Sequence, residues 1–339
     1  MTQHHEGTLD LSSALGGSQA AKRAVASEIG DRLERVGGMM ITGHGISTSL
    51  IAETRDAFRA FFGQPAEYKT HFARPATEAV ARGYVCRSDV RETDPGMERF
   101  SMGEFTPPNE DPYYSSPQGQ AYFPPNQLPD RPAEFSKLCG TYFDEIQQLS
   151  KRMFDLFEVA LATPPGYFTS RLRRSTGNLT GILYPAKENE PDGAFRIQPH
   201  TDSGALTILN TEQVPGGGLQ FMNLDNEWAD VQPSVTDFVI NVGDLLHRWS
   251  NGVWPSTVHR VLNPSSGYAH TSRLSVVYFE HPDYDVSLSS FVRPGDECVF
   301  EPVVVGEFEY DKRLKIHLID DAGISKMLYA PIELREEQH

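Results

Sequence analysis

Apolar residues recur at helical spacing from Ser18 to Val36, where Val25, Ile29, Leu33 and Val36 share one face and Gly37-Gly38 ends the pattern. The next apolar cluster, Met39-Met40-Ile41, predicts a short strand entering the turn Thr42-Gly43-His44-Gly45. A second helix is predicted from Ser47 to Phe62, stopped by Gly63 and Pro65. From Thr106 to Pro132 the chain holds eight prolines and reads as a long ordered loop or crossover. Loops of that length inside a compact domain are often functional. An amphipathic helix follows from Ala133 to Leu161, with Phe135, Leu138, Tyr142, Ile146, Leu149 and Met153 in its buried stripe, and Pro164-Pro165-Gly166 closes it.

Beyond residue 176 the texture changes to short strands between Gly, Pro, Asn and Asp breaks. Predicted strands are Asn178–Tyr184, Ala205–Leu209, Leu219–Met222, Phe238–Val242, Thr257–Leu262 and Arg273–Phe279. Their close spacing, without intervening helices, predicts an antiparallel sandwich or jelly roll. The fold class is therefore α+β, helices packed on a β core. A last helix is predicted at Glu307–Leu318, ahead of an acidic tail.

Composition narrows the function. The 339 residues, 39% hydrophobic, suffice for a large core, and no run reaches the roughly 18 apolar residues of a membrane span. The formal charge of -16 opposes phosphate backbones and anionic lipid, so neither nucleic acid nor membrane is expected as a partner. Cys86, Cys139 and Cys298 are odd in number and widely separated, which fits reduced thiols in the cytoplasm. The polar N-terminus lacks the basic start and apolar stretch of a secretory signal.

The chemistry begins at "HTDSGALTIL", residues 200–209. In a strand, residues i and i+2 share a face, so His200 and Asp202 could grip one ion, and the β-branched run behind them favours a strand. His259, in a separate strand segment, supplies the partner for a 2-His-1-carboxylate facial triad. Such a triad leaves half of the coordination sphere open, which suits Fe(II) handling oxygen together with a cosubstrate. Arg273 and Ser275 share a face of the next strand, and a guanidinium fork beside a hydroxyl is a carboxylate anchor. The glycine run 216–218 reads as a hairpin or bulge, since no helix or lysine follows to make a phosphate loop.

His200-x-Asp202, "GDLLHRWSNG" (243–252), "STVHRV" (256–261) and Arg273-x-Ser275 together resemble the isopenicillin N synthase-like branch of the Fe(II)/2-oxoglutarate-dependent dioxygenases. The tract 200–279 is most similar to microbial and fungal members such as thymine hydroxylase. The likeness extends to "MMITGHGI" (39–46), "RGY" (82–84) and "ERFSMG" (98–103). It implies a double-stranded β-helix, or jelly roll, flanked by N-terminal and C-terminal helices. The whole chain, 1–339, is then a single dioxygenase domain: a helical part to 105, a crossover and long helix over 106–175, the catalytic core over 176–290, and a C-terminal segment over 291–339.

The resemblance also implies site roles. His200, Asp202 and His259 would ligate Fe(II), Arg273 and Ser275 would hold the distal carboxylate of 2-oxoglutarate, and Tyr184 would stand beside that carboxylate. Ile182 and Thr180 replace an asparagine and an arginine that many members carry, so part of the usual polar lining is changed. Ser203 stands where thymine hydroxylase has an aromatic residue, which argues against a pyrimidine substrate. The implied reaction oxidises a small organic metabolite by hydroxylation, desaturation or cyclisation, with O2 consumed, succinate and CO2 released, and ascorbate stimulatory. His44 reads as a turn residue, Asp244 as a cap of its turn, and His247 as a strand residue facing either substrate or core. The pocket rim is expected in the segment around Arg82, Tyr84 and Arg87, in Met97–Gly103, in the proline-rich loop and in the C-terminal helix. Competing readings are an iron oxidase that does not use 2-oxoglutarate, a zinc hydrolase on the same ligands, and a non-catalytic jelly-roll binding or sensor protein.

Overall fold

The computed structural model describes residues 7–73, 80, 82–86, 97–108, 110–186, 193–264, 267–309 and 311–312. Helices α1 (Ser12–Gly16), α2 (Gln19–Val36), α3 (Thr48–Phe62), α4 (Ala66–Thr70), α5 (Pro112–Ser115), α6 (Pro117–Tyr122) and α7 (Phe135–Ala160) precede the main run of strands, and α8 (Asp244–Trp249) interrupts it. Strands β1 (Leu9–Asp10), β2 (Gly38–Thr42), β3 (Gly83–Cys86), β4 (Glu98–Met102), β5 (Asn178–Tyr184), β7 (Leu206–Thr211), β10 (Phe238–Val242) and β12 (Arg273–Glu280) form one large sheet, in the order β1-β2-β10-β7-β12-β5-β4-β3. Strands β6 (Phe195–His200), β8 (Leu219–Met222), β9 (Trp228–Asp230) and β11 (His259–Leu262) form a second sheet, ordered β6-β11-β8-β9. This is the α+β jelly roll with flanking helices.

The predicted helices are present with the stops that their sequences carry. Ser18 caps α2 by accepting from the Ala21 N–H, and Gly37 ends it with φ of 72° while its own N–H reaches the Leu33 carbonyl. The long helix α7 buries Phe135, Tyr142, Phe143, Ile146, Leu149, Met153, Phe154 and Phe157. Burial of each such side chain contributes roughly 1.5–3 kcal/mol, so this one stripe outweighs any surface ion pair. The proline-rich crossover is ordered around α5 and α6, where Tyr284 stacks between Tyr113 and Tyr122 at centroid distances of 4.4 and 4.6 Å.

Alternation gives the large sheet two different faces. Leu179 and Leu183 of β5, Leu274, Val276 and Tyr278 of β12, and Phe100 and Met102 of β4 pack with the helices. Met97, Ile182, Tyr184, Val239 and Val277 point the other way and meet Ile197, Leu219, Phe221 and Val261 of the second sheet. The space between the sheets is the cavity into which site residues project.

Strands β1, β3, β4, β6 and β9 were absent from the sequence-based assignment. The predicted strand containing His247 is instead α8, begun at Gly243. The C-terminal helix is present over 305–309 and 311–312; its continuation to Leu318 and the acidic tail lie outside the described residues. Glu309 of that segment pairs with His281, and Lys312 with Asp244. Among the described residues, no helix is long and apolar enough to cross a membrane.

Gly37 ties the helical layer to the cavity. A Cβ there would strike the Pro255 carbonyl and the Thr257 hydroxyl, and Thr257 Oγ1 donates to the Gly37 carbonyl at 2.6 Å, two residues before His259. Gly37→Ala should therefore cost more than the roughly 1 kcal/mol that an alanine at φ > 0 forfeits. Urea unfolding should show a lowered midpoint at constant m-value.

Candidate metal centre and cosubstrate cradle

Strand β6 ends at His200, and β11 begins at His259, its direct Cα partner across the antiparallel pair. Asp202 lies two residues past the end of β6, in a turn, and not on the strand that the sequence suggested for the pair. That turn is fastened to the start of α8: Asp244 N–H donates to the Asp202 carbonyl at 2.8 Å, Leu245 N–H to Gly204 at 3.1 Å, and Gly243 N–H to Ala205 at 3.0 Å. One ligand atom from each of His200, Asp202 and His259 falls within 4.8 Å of the others. His259 Nε2 and Asp202 Oδ1 are 3.9 Å apart, and the two imidazole centroids 4.2 Å.

Hydrogen bonds select which atoms converge. His200 Nδ1 donates to the Gln198 carbonyl at 2.8 Å and His259 Nδ1 to the Thr257 carbonyl at 3.1 Å, which leaves both Nε2 lone pairs to ligate. Asp202 Oδ2 accepts from Thr207 Oγ1 at 2.6 Å and from Asn241 Nδ2 at 2.8 Å, so Oδ1 is the oxygen presented to an ion. Burial and the neighbouring His259 push His200 down to about 3, keeping it in the neutral, ligating form. Burial alone would raise the Asp202 carboxyl; His259, His200 and the two hydrogen bonds outweigh it and hold the group below its usual range. Two imidazoles held by their Nδ1 contacts and a braced carboxylate are a donor set that fits Fe(II).

The residues expected to anchor a carboxylate, Arg273 and Ser275, lie on β12. Arg273 and Tyr184 are direct partners across β12 and β5, and Ser275 pairs with Thr211 of β7 on the same face. Arg273 Nε donates to Thr211 Oγ1 at 2.9 Å, and Thr211 Oγ1 lies 2.9 Å from Ser275 Oγ. Arg273, Ser275 and Tyr184 are all buried. Burial lowers Arg273 to about 10, so it remains a cation at neutral pH. Gly218, last of the glycine run, has φ of 133° and closes over this group: a Cβ there would press on Arg273 Nη1 at 3.2 Å.

Sequence reasoning missed Thr211, which links the anchor's two members, and Arg196. The latter is 1% exposed, donates from Nε to Asn263 Oδ1 at 3.2 Å and from Nη2 to the Thr271 carbonyl at 2.8 Å, and shares the electrostatic environment of Tyr184 and Arg273. Its signal was the polar alternation Arg196, Gln198, His200.

The expected rim residues divide. Arg82 is buried against Gly103 and donates to the Tyr122 carbonyl, so it is neither a solvated charge nor a cavity residue. Tyr84 faces the helical layer, where its hydroxyl donates to Glu98 at 2.6 Å. Arg87 lies outside the described residues. His247 Nδ1 donates to the Trp254 carbonyl at 2.8 Å, a structural role. His44 likewise accepts from the Ile46 N–H within its turn and donates from Nε2 to the Thr236 carbonyl of a distant segment. Asp244 does more than cap a turn: its carboxylate accepts from Ser256 at 2.7 Å and pairs with Lys312.

This geometry agrees with what the chain resembles. The 2OG-Fe(II) oxygenase superfamily pattern matches residues 172–282, and that of the non-haem dioxygenase in morphine synthesis N-terminal matches 8–131. Flavanone 3-dioxygenase 2 of Oryza sativa subsp. japonica is 30% identical, over 87% of this chain and 80% of its own length. Validamycin A dioxygenase of Streptomyces hygroscopicus subsp. limoneus is 28% identical, over 91% of this chain and 86% of its own. The full-length thymine hydroxylase of Neurospora crassa, solved with alpha-KG and thymine, superposes with a TM-score of 0.80 at 24% identity, covering 93% of this chain and 99% of that one. The chain belongs to the 2OG-Fe(II) oxygenase superfamily. It is an Fe(II)- and 2-oxoglutarate-dependent dioxygenase.

The brace on Asp202 is open to test. Thr207→Val and Asn241→Leu should each weaken Co(II) or Fe(II) binding roughly tenfold or more, as loss of outer hydrogen bonds to metal ligands typically does. Chelator competition would measure it, and unchanged affinity in both would sever the brace from metal binding.

Proposed function

We propose that His200, Asp202 and His259 hold the iron, that Arg273, Ser275 and Tyr184 receive the distal carboxylate of 2-oxoglutarate, and that the enzyme oxidises a small organic molecule. The convergence of three ligand atoms within 4.8 Å carries this reading. When bound, the iron would bring O2, the oxidant, together with 2-oxoglutarate, which leaves as succinate and CO2 while a substrate carbon is oxidised. The chain's own residues do the rest. The His200 and His259 carbonyl contacts fix the ligating tautomers, Thr207 and Asn241 fix the carboxylate, and the buried guanidinium orients the cosubstrate. The apolar wall of Ile197, Leu219, Phe221, Val239, Val261 and Val277 keeps bulk water from the reacting centre.

The chain's acidity, -16 overall, argues for a small molecule rather than nucleic acid or an anionic membrane. Its three cysteines, none of them in a disulfide, suit a reducing, cytoplasmic setting. One catalytic unit from end to end is supported by the large sheet itself, which joins strands from Leu9 to Glu280. Serine at 203 in place of an aromatic group favours a substrate other than a pyrimidine.

Each of His200→Ala, Asp202→Ala and His259→Ala should abolish 2-oxoglutarate turnover and weaken metal retention; full activity in any of them would sink the triad. Arg273→Ala should keep iron and lose cosubstrate affinity by on the order of 2–5 kcal/mol, the cost of removing a buried charged contact to a carboxylate. Anaerobic titration of the Fe(II) protein with 2-oxoglutarate, followed by its visible charge-transfer band, would read this directly.

A further inference from the structure

The cavity face of β4 carries a charged residue that the reaction described above does not use. Along "MERFSM" (97–102), Phe100 and Met102 enter the helical core while Met97 joins the cluster between the sheets. Alternation therefore places Arg99 and Ser101 on the cavity face with Met97. Register agrees: Arg99 pairs with Ile182, itself the partner of Ser275, and Ser101 pairs with Thr180. Arg99 Nε donates to the Met97 sulfur at 3.3 Å, holding the guanidinium on that side. On the outer flank its partner is Val85 of β3, which is 42% exposed, so the group sits between the open edge and the buried wall.

A polar strip continues inward beside it. Ser101 Oγ lies 2.9 Å from Thr180 Oγ1, and Thr180 donates to Asn178 Oδ1 at 3.1 Å. With Arg99 and Tyr184, these three are the polar side chains of β4 and β5 on the face turned toward the second sheet, and all three are buried. Arg99 is half-buried, at the end of this strip.

We propose that Arg99 binds the anionic end of the substrate, and that the substrate is a small carboxylic acid whose body lies along the Ser101, Thr180 and Asn178 strip toward the metal centre. A single guanidinium fork matches one carboxylate in geometry and charge. A multiply charged phosphate ester suits the site less, because one cation would have to hold it within a chain of net charge -16. The proposal rests on the dioxygenase reading of the site. It moves substrate recognition from the segment around Arg82, whose guanidinium is packed against Gly103, to the neighbouring strand.

The test uses the Fe(II) protein saturated with 2-oxoglutarate, without oxygen, and calorimetric titration with three acids: hexanoate, phenylacetate and N-acetylleucine, each beside its primary amide. At least one acid should bind at least tenfold more tightly than its amide. Arg99→Gln should erase that difference and Arg99→Lys should keep part of it, while the 2-oxoglutarate charge-transfer band of both variants forms at the wild-type concentration. Acids and amides binding alike, no acid binding, or undiminished acid preference in Arg99→Gln would each overturn the assignment. Failure of the charge-transfer band in the wild-type protein would instead strike the dioxygenase site itself, so the two failures are distinct.

Discussion

The pairing of β6 with β11 is the constraint on which the rest of the site depends. It sets His259 directly across from His200 and so fixes the separation of the imidazoles before any ion arrives. A one-residue slip would turn one of them out of the cavity, because successive side chains of a strand face opposite ways. Register on the other side is equally determined: β11 also pairs with β8, where Phe221 lies opposite His259. The carboxylate of Asp202 needs no strand at all. Its loop is held by backbone hydrogen bonds to the start of α8, which place the carboxylate.

The large sheet separates stability from chemistry by its two faces. Its outer face is a hydrophobic seat for α2, α3 and α7, and the aromatic cluster of Phe58, Phe61, Phe100 and Phe135 belongs there. Its inner face carries Arg273, Ser275, Thr211, Thr207 and Asn241, each bonded to another member of the site. Two guanidiniums, Arg99 and Arg273, lie on this inner face in a chain that is acidic overall. The local positive charge there opposes the sign of the chain as a whole.

Much of this was legible in the chain. The helices α2, α3 and α7 announce themselves through periodicity and terminal glycines, and β5, β8 and β10 fall at their predicted limits. The candidate triad and anchor residues could be singled out because their chemistry is tied to residue type and order, and the structure brings His200, Asp202 and His259 together. What stayed hidden has physical reasons. Strand β6 contains Pro199, which reads as a break, yet β6 is an edge strand where a missing N–H is tolerated. Strand β4 mixes Glu98, Arg99 and Ser101 with apolar residues because both of its faces are occupied, one by helices and one by the cavity. Helix α8, six residues long, is too short to show a period. Arg82 and Arg99 are indistinguishable as letters; only the neighbours that the fold supplies, Gly103 for one and Ile182 for the other, separate a structural cation from a cavity one.

Arg273 has a thermodynamic consequence of its own. It is a desolvated cation whose hydrogen-bond acceptor is the neutral hydroxyl of Thr211, and the nearby carboxylate of Glu212 is engaged by Arg59. A dianion that binds the folded protein alone adds RT ln(1 + [L]/Kd) to its stability, about 2.7 kcal/mol at a hundredfold excess over Kd. The resistance of this fold to unfolding is thereby coupled to the supply of a central carbon metabolite. In a cell whose 2-oxoglutarate pool falls, the enzyme would lose protection against proteolysis along with its cosubstrate, so abundance and activity would decline together.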